Sequence, residues 1–315
     1  MALEMLRLLF GRGRDHRRSD IRATPIGELA PQGVFNNGIQ LYRRRDNHQY
    51  IIKKIFRPEH LPEHARHERD TLLRLGESIY FTRLIDAHIT RKEGWLWLEG
   101  CEKGTLQALI TNHENAKQPI PEKFIWHVFF SLVEALSYLQ YGNVDKGREN
   151  NDRNWIFHRA IHPGNVFIAG GGTGHRDPLR ITLGSLGSSI SRREYEDGLR
   201  RGKNALRQSH GVLQVPEFKT PDEEANGSTD VYQVALVVLA FCRLSMHPME
   251  YINNMSYAGD DYSGVLNGYL FMCCSLDVKA SDRPSVCWLQ EIMPVDPKAG
   301  ISNLGKGLLL DTPRV

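Results

Sequence analysis

Cysteine is scarce and unpatterned. The five residues, Cys101, Cys242, Cys273, Cys274 and Cys287, are odd in number and form no Cys-x-x-Cys pair. That excludes a disulfide framework and a ribbon-type zinc site, and it suits reduced thiols in an intracellular chain. Long apolar runs are missing too. The longest, Val234 to Cys242, is under half of the roughly 20 residues that a membrane-spanning helix needs. The short run Met5 to Phe10 follows Glu4 and precedes Gly-Arg-Gly-Arg, whereas a secretory signal has a basic start and a small-residue cleavage site. No internal repeat is visible, which excludes solenoids and propellers. Excess charge is small, 40 Lys+Arg against 37 Asp+Glu for a formal +3. All of it lies in residues 1–22, where Arg7, Arg12, Arg14, Arg17, Arg18 and Arg22 face only Glu4, Asp15 and Asp20. The remaining chain is neutral, so a chain-wide nucleic-acid surface is excluded. The basic tail is left as a candidate docking element for an acidic partner.

What is present is an ordinary globular composition over 315 residues, 41% hydrophobic and 24% charged. The order of elements is informative. Residues 24–56 read as strands, with Tyr50-Ile51-Ile52-Lys53-Lys54-Ile55-Phe56 after the polar turn Arg45-Asp46-Asn47. Residues 62–76 read as a helix, and Ile79–Ile89 and Trp95–Leu98 as further strands. Glu122–Tyr141 carries apolar residues at 124, 125, 128, 129, 132, 133, 136 and 139, the stripe of a core helix. Trp155–Phe157, Val166–Ile168 and Arg180–Leu183 read as short strands, with a glycine-rich linker from Ala169 to Gly174. Asp230–Cys242 is apolar nearly all round and reads as a fully buried helix.

Three clusters carry chemistry: the strand lysine Lys53 with Glu68 on the next helix; His158-Arg159-Ala160-Ile161-His162-Pro163-Gly164-Asn165; and Leu183-Gly184-Ser185-Leu186-Gly187. With them the chain resembles the eukaryotic protein kinase family, whose pattern is a VAIK-type strand, a helix Glu, His-Arg-Asp-Leu-Lys-Pro-x-Asn and Asp-Phe-Gly. The resemblance covers roughly residues 24–295. Leu98-Glu99-Gly100-Cys101 resembles the hinge between lobes, Val215-Pro216-Glu217 the Ala-Pro-Glu that closes the activation segment, and Asp230-Val231-Tyr232 the start of the central helix. Asp282-Arg283-Pro284-Ser285 resembles the late segment whose Arg pairs with that Glu. The resemblance implies an α+β, bilobal fold: a basic tail 1–22, an N-lobe 23–99, a C-lobe 100–296 and a tail 297–315. It implies a nucleotide cleft at Gly33, Lys53, Glu68, Glu99 and Cys101, and structural roles for His158, Arg159, Glu217, Asp230 and Arg283.

The departures bear on function. The position of the catalytic carboxylate is Ala160, which has no acceptor, and the Lys two residues on is His162. The metal-binding Asp is Ser185, a neutral hydroxyl where Mg²⁺ favours carboxylate oxygen. Of the metal positions Asn165 alone matches. The glycine loop keeps only Gly33, with Pro31 and Asn36 replacing flanking glycines. The small residue that packs on adenine, counted back from Lys53, is Ile51. These changes set ATP binding in question and argue against Mg²⁺. The expectation is a catalytically impaired pseudokinase, an intracellular regulatory or scaffolding module acting through a protein partner. The alternative is a divergent, active Ser/Thr protein kinase that transfers the ATP γ-phosphate to protein hydroxyls.

Overall fold

A computed structural model describes residues 21–30, 36–142, 155–170, 179–198, 215, 226–252, 257–293 and 307–310. The N-terminal lobe is a five-stranded sheet in the order β1-β2-β3-β5-β4. Its strands are β1 (Ala23–Ala30), β2 (Asn36–Arg44), β3 (Tyr50–Phe56), β4 (Leu84–Ile89) and β5 (Gly94–Glu99). All neighbours pair antiparallel. After β3 the chain makes a 3₁₀ turn (Pro58–His60) and a π turn (Leu61–Ala65), then enters α1 (Arg66–Leu75). Helix α1 ends at Gly76, whose φ of +63° suits glycine. The strand expected over Ile79–Ile89 is shorter: it begins at Leu84, and Phe81 forms an isolated bridge with Leu183 instead.

The C-terminal lobe is mainly helical. Helix α2 (Leu106–Ala116) starts at Thr105, whose hydroxyl accepts from the Ala108 N–H. Helix α3 (Glu122–Tyr141) buries the stripe its sequence shows. Short strands follow: β6 (Ile156–Phe157), β7 (Val166–Ala169), β8 (Arg180–Leu183) and β9 (Ile190–Ser191), pairing β6 with β9 and β7 with β8. After them come the one-turn α4 (Arg192–Glu196), α5 (Gly227–Arg243), α6 (Gly264–Cys274) and α7 (Val286–Ile292). Helix α5 is capped by Asn226, which accepts from the Ser228 and Thr229 N–H groups. It then buries an unbroken run from Thr229 to Cys242. Each large aliphatic side chain so buried contributes about 1.5–3 kcal/mol before entropy is charged against it. This explains why an all-round apolar helix sits at the centre of the lobe. The α+β, bilobal architecture is the one the resemblance implies. Among the described residues no helix is long and apolar enough to cross a membrane.

One core runs through both lobes, from Leu41, Ile52 and Leu98 in the sheet through Cys101 and Phe167 to α3 and α5. The lobes are also stitched by main chain: Thr82 N–H donates to the Leu183 carbonyl (3.2 Å) and Leu183 N–H to the Tyr80 carbonyl (2.8 Å). The crossing at Gly100 is tight. Its N–H donates to the Tyr50 carbonyl at 3.0 Å, and a Cβ there would fall 2.5–2.8 Å from Tyr50 and Ile51 main-chain atoms. Gly100→Ala is therefore expected to cost about 1–3 kcal/mol. Gly268→Ala, at an exposed position of α6 with open space around it, is expected to be neutral or to gain about 1 kcal/mol. Urea denaturation of the two variants checks the contrast.

Candidate functional site

The ion pair under the sheet is made by Lys54, not Lys53. Its Nζ lies 2.8 Å from both carboxylate oxygens of Glu68, and both side chains are buried. This corrects the expectation for Lys53 by one residue, and in a strand one residue is a change of face. Ile52, Lys54 and Phe56 alternate on the buried side toward α1, whereas Lys53 points the other way. There its ammonium sits 4.5 Å from the Trp95 ring and 5.5 Å from Trp97. Desolvation there lowers the Lys53 pKa, with Glu93 acting in the opposite direction. The residue two before the paired lysine is accordingly Ile52 rather than Ile51, and it is buried in the shared core.

Of the remaining cleft positions, Gly33 lies outside the described residues. Glu99 forms an ion pair with Arg180 at the start of β8. Cys101 is buried with Sγ 3.5 Å from Thr182 Oγ1, and its burial pushes the thiol up to about 12, so the thiol is inert. Both hinge side chains thus turn toward β8.

The loop after β6 is built around the Asp230 carboxylate. Asp230 is fully buried in the first turn of α5 and accepts the N–H groups of His158 and Arg159, each at 2.7 Å. Complete burial raises its pKa to about 6, with the two N–H bonds and the Arg159 charge opposing. One turn on, Gln233 accepts from Ile161 N–H (3.0 Å) and donates to the Arg159 carbonyl (3.3 Å). The loop is thereby forced through a left-handed residue at Arg159, φ +63°, which a non-glycine adopts only when its surroundings demand it. Arg159 is 1% exposed and donates through Nε to the Ser188 carbonyl at 2.8 Å. It therefore holds local main chain.

His158 donates through Nε2 to the Gly184 carbonyl (3.0 Å) while its Nδ1 accepts from Ala160 N–H (3.2 Å). That fixes the neutral tautomer. Burial drives its pKa down to about 4, opposed by the Gly184 bond and assisted by the Lys54 charge. Ala160 is buried and offers its carbonyl to Asn165 Nδ2 at 2.9 Å. His162 Nδ1 accepts from Gly164 N–H at 3.2 Å. Ser185 takes a left-handed conformation, φ +62°, ahead of the buried Leu186. Together the positions Ala160, Asn165 and Ser185 present a methyl, an amide already donating to main chain, and a hydroxyl. None of the three offers the carboxylate oxygen that Mg²⁺ favours. Among the described residues no group of three His, Cys, Asp or Glu side chains is placed to hold a metal. Glu217 lies outside the described residues. Arg283 is buried over the Tyr232 ring at 4.5 Å and donates to the Ser228 carbonyl at 3.4 Å.

The sequence reading missed a clamp between α1 and the segment after Ser185. His67 Nε2 lies 2.9 Å from Ser189 Oγ, whose own proton goes to the Leu186 carbonyl (2.7 Å), and His67 Nδ1 lies 3.0 Å from Glu194 Oε1. One ring nitrogen thus meets the Ser189 hydroxyl and the other the Glu194 carboxylate. Glu194 also accepts from Ser191 N–H at 2.9 Å within a capping box. Burial would raise the Glu194 carboxyl, but the His67 bond and charge and the Ser191 bonds outweigh it and hold the pKa at about 2. His64 adds a contact at 3.2 Å to the Gly187 carbonyl. The available signal was the His64, His67, Glu68 spacing on one face of a helix that the resemblance had already singled out for Glu68.

The chain is similar to several serine/threonine-protein kinases. It is 23% identical to probable serine/threonine-protein kinase zyg-1 of Caenorhabditis elegans over 224 residues, 70% of this chain and 28% of that protein. It is 23% identical to Nek2 of Homo sapiens over 222 residues, 66% of this chain and 43% of that protein. It is 24% identical to SSN3 of Scheffersomyces stipitis over 106 residues, 34% of this chain and 20% of that protein. The matches thus span less than half the length of each of these relatives. No family profile matches the chain.

Two outcomes follow from this geometry. Lys54→Met strands Glu68 as a buried, uncompensated charge and is expected to cost about 3–5 kcal/mol. Lys53→Met removes a half-exposed cation–π contact worth about 1 kcal/mol. Equal destabilisation in urea would contradict the assignment. The second outcome concerns pH. A histidine held at about 4 in the folded state binds fewer protons than its unfolded counterpart between about pH 4 and 6.5. The stability it confers is therefore full above 6.5 and is lost as pH falls, by roughly 1.4 kcal/mol per unit. Asp230, raised to about 6, contributes with the opposite sign over pH 4 to 6. Replacing His158 by Phe removes the first contribution and leaves the second. The stability gap between wild type and H158F should therefore narrow from pH 6.5 to 4 in denaturation series.

Proposed function

We propose that this serine/threonine-kinase-like chain is a pseudokinase, a regulatory or scaffolding module that acts by presenting a fixed bilobal surface to a protein partner. The observation that carries the reading is the substitution pattern where transfer would occur. Ala160 has no group to accept a substrate proton, His162 is engaged with Gly164 N–H, and Ser185 stands where a metal-binding carboxylate is needed. A general base alone supplies about 10²–10⁴-fold, and stabilisation of the transferring phosphoryl supplies more. The cleft supports the same reading. Ile52, two residues before the paired lysine, is buried in the core that joins the lobes, so the position that would pack on a base is covered by protein. What is retained is architecture: the Lys54–Glu68 pair, the Asp230 anchor and the His67–Glu194 clamp.

The second reading, a divergent active Ser/Thr kinase, draws on two observations: the intact Lys54–Glu68 pair and the similarity to proteins named as serine/threonine-protein kinases. An intracellular location, and docking of the basic residues 1–22 on an acidic partner, remain part of the proposal.

A thermal-shift titration separates the two readings. The pseudokinase is expected to show no change in Tm with ATP, with or without Mg²⁺ or Mn²⁺. A metal-dependent rise, with phosphoryl transfer that Lys54→Ala abolishes, would establish the active kinase instead.

A further inference from the structure

Residues 307–310 lie against α2 although the sequence reads there as a plain tail. The contact is read through main chain. Leu309 N–H donates to His113 Nε2 at 3.0 Å, and the Leu309 carbonyl accepts from Asn112 Nδ2 at 2.9 Å. Both main-chain groups of one residue are thus held by adjacent side chains of one helix. The Gly307 carbonyl accepts from Gln118 Nε2 at 3.3 Å. Leu308 and Leu310, on either side of the clamped residue, pack against the hydrophobic core.

The receiving side is prepared for this contact. His113 is fully buried, and its Nδ1 lies 2.9 Å from the Gln118 carbonyl, so that nitrogen carries the proton. Nε2 is therefore an acceptor aimed at the Leu309 N–H, and the tautomer is set before the tail arrives. The loop bearing Gln118 is bent at Lys117 in a left-handed conformation, φ +52°, and its Gln118 N–H returns to the His113 carbonyl at 3.0 Å. Gly307 takes φ +83° above Pro121.

We propose that this face of α2 is a recognition site for an extended peptide with apolar residues at i and i+2, read through the main chain of the residue between. Residues 307–310 of this chain are its resident ligand. A segment of the same chemistry on a partner protein would engage it only by exchanging with the tail. Donor and acceptor fixed at one residue's N–H and C=O, with apolar contacts from the residues on either side, is the logic of strand-type peptide recognition. A tethered ligand competes at millimolar effective concentration, so the site is masked in the resting chain. The inference does not depend on whether the cleft transfers phosphate.

The probe is a fluorescent peptide, Gly-Lys-Gly-Leu-Leu-Leu-Asp-Thr, with the sequence of residues 305–312, titrated by anisotropy into the full chain. Against the L308D/L310D double variant, whose own tail cannot dock, binding is expected at least tenfold tighter than to wild type. Adding Asn112→Ala to that variant should weaken binding about tenfold, and so should N-methylation of the peptide's middle leucine. Equal binding to wild type and the double variant, or none to the variant, overturns the proposal. Hydrogen exchange on the wild-type chain covers the case of a misfolded variant. A protected Leu309 amide that opens in Asn112→Ala supports the site, and an unprotected one overturns it.

Discussion

The Asp230 carboxylate is the constraint from which the centre of the molecule follows. It is buried at the first turn of the most apolar helix, and it is tolerated there because two main-chain N–H groups approach it at 2.7 Å. A buried carboxylate without such donors would be costly. Held by those bonds, His158 and Arg159 take positions they would not adopt alone. Arg159 turns through the left-handed region and reaches Ser188, and His158 reaches Gly184. The segment after Ser185 is thereby fastened to the loop from below, while His64 and His67 fasten it from above. One anion deep in the C-lobe therefore fixes the place where α1 and Glu68 can sit.

The interlobe region continues this pattern. Main-chain bonds between Tyr80–Thr82 and Leu183, the pair of Glu99 with Arg180, and the shared core through Ile52, Cys101 and Phe167 all cross between the lobes. Tyr80 and Tyr138 add bonds to Glu134 and to the Leu75 carbonyl, at 3.1 and 3.2 Å. An enzyme that must admit and release a nucleotide works by opening. The contacts here hold the two lobes against each other.

The sequence was most legible where periodicity was long or where motifs fell in order. The stripe of Glu122–Tyr141 and the all-round apolar run after Asp230 each identified a helix and its burial, because many residues repeat the same message. Helix α2 was not singled out, although Thr105 as a cap and Leu106, Leu109 and Ile110 mark it; eleven residues give only a short stripe. The lysine was misplaced because Lys53 and Lys54 are adjacent and both flanked by isoleucines. Only the side of the sheet that meets α1 distinguishes them, and that is a property of the assembled lobe. His113 was invisible for a related reason, since its partner, Leu309, lies nearly two hundred positions away. Residues such as Ala160 and Ser185 were readable directly, because the groups they carry are local to one side chain.

The clamp on the segment after Ser185 has a consequence for timing. In chains where such a segment is tied down by an added phosphate, the tie has a history, being made by one enzyme and removed by another. Here the negative charge facing His67 is Glu194, written into the chain. It is present from the moment the polypeptide folds and has no enzyme to erase it. This one tie then scales with how much of the protein is made and how long it persists, rather than with a cycle of marking and unmarking.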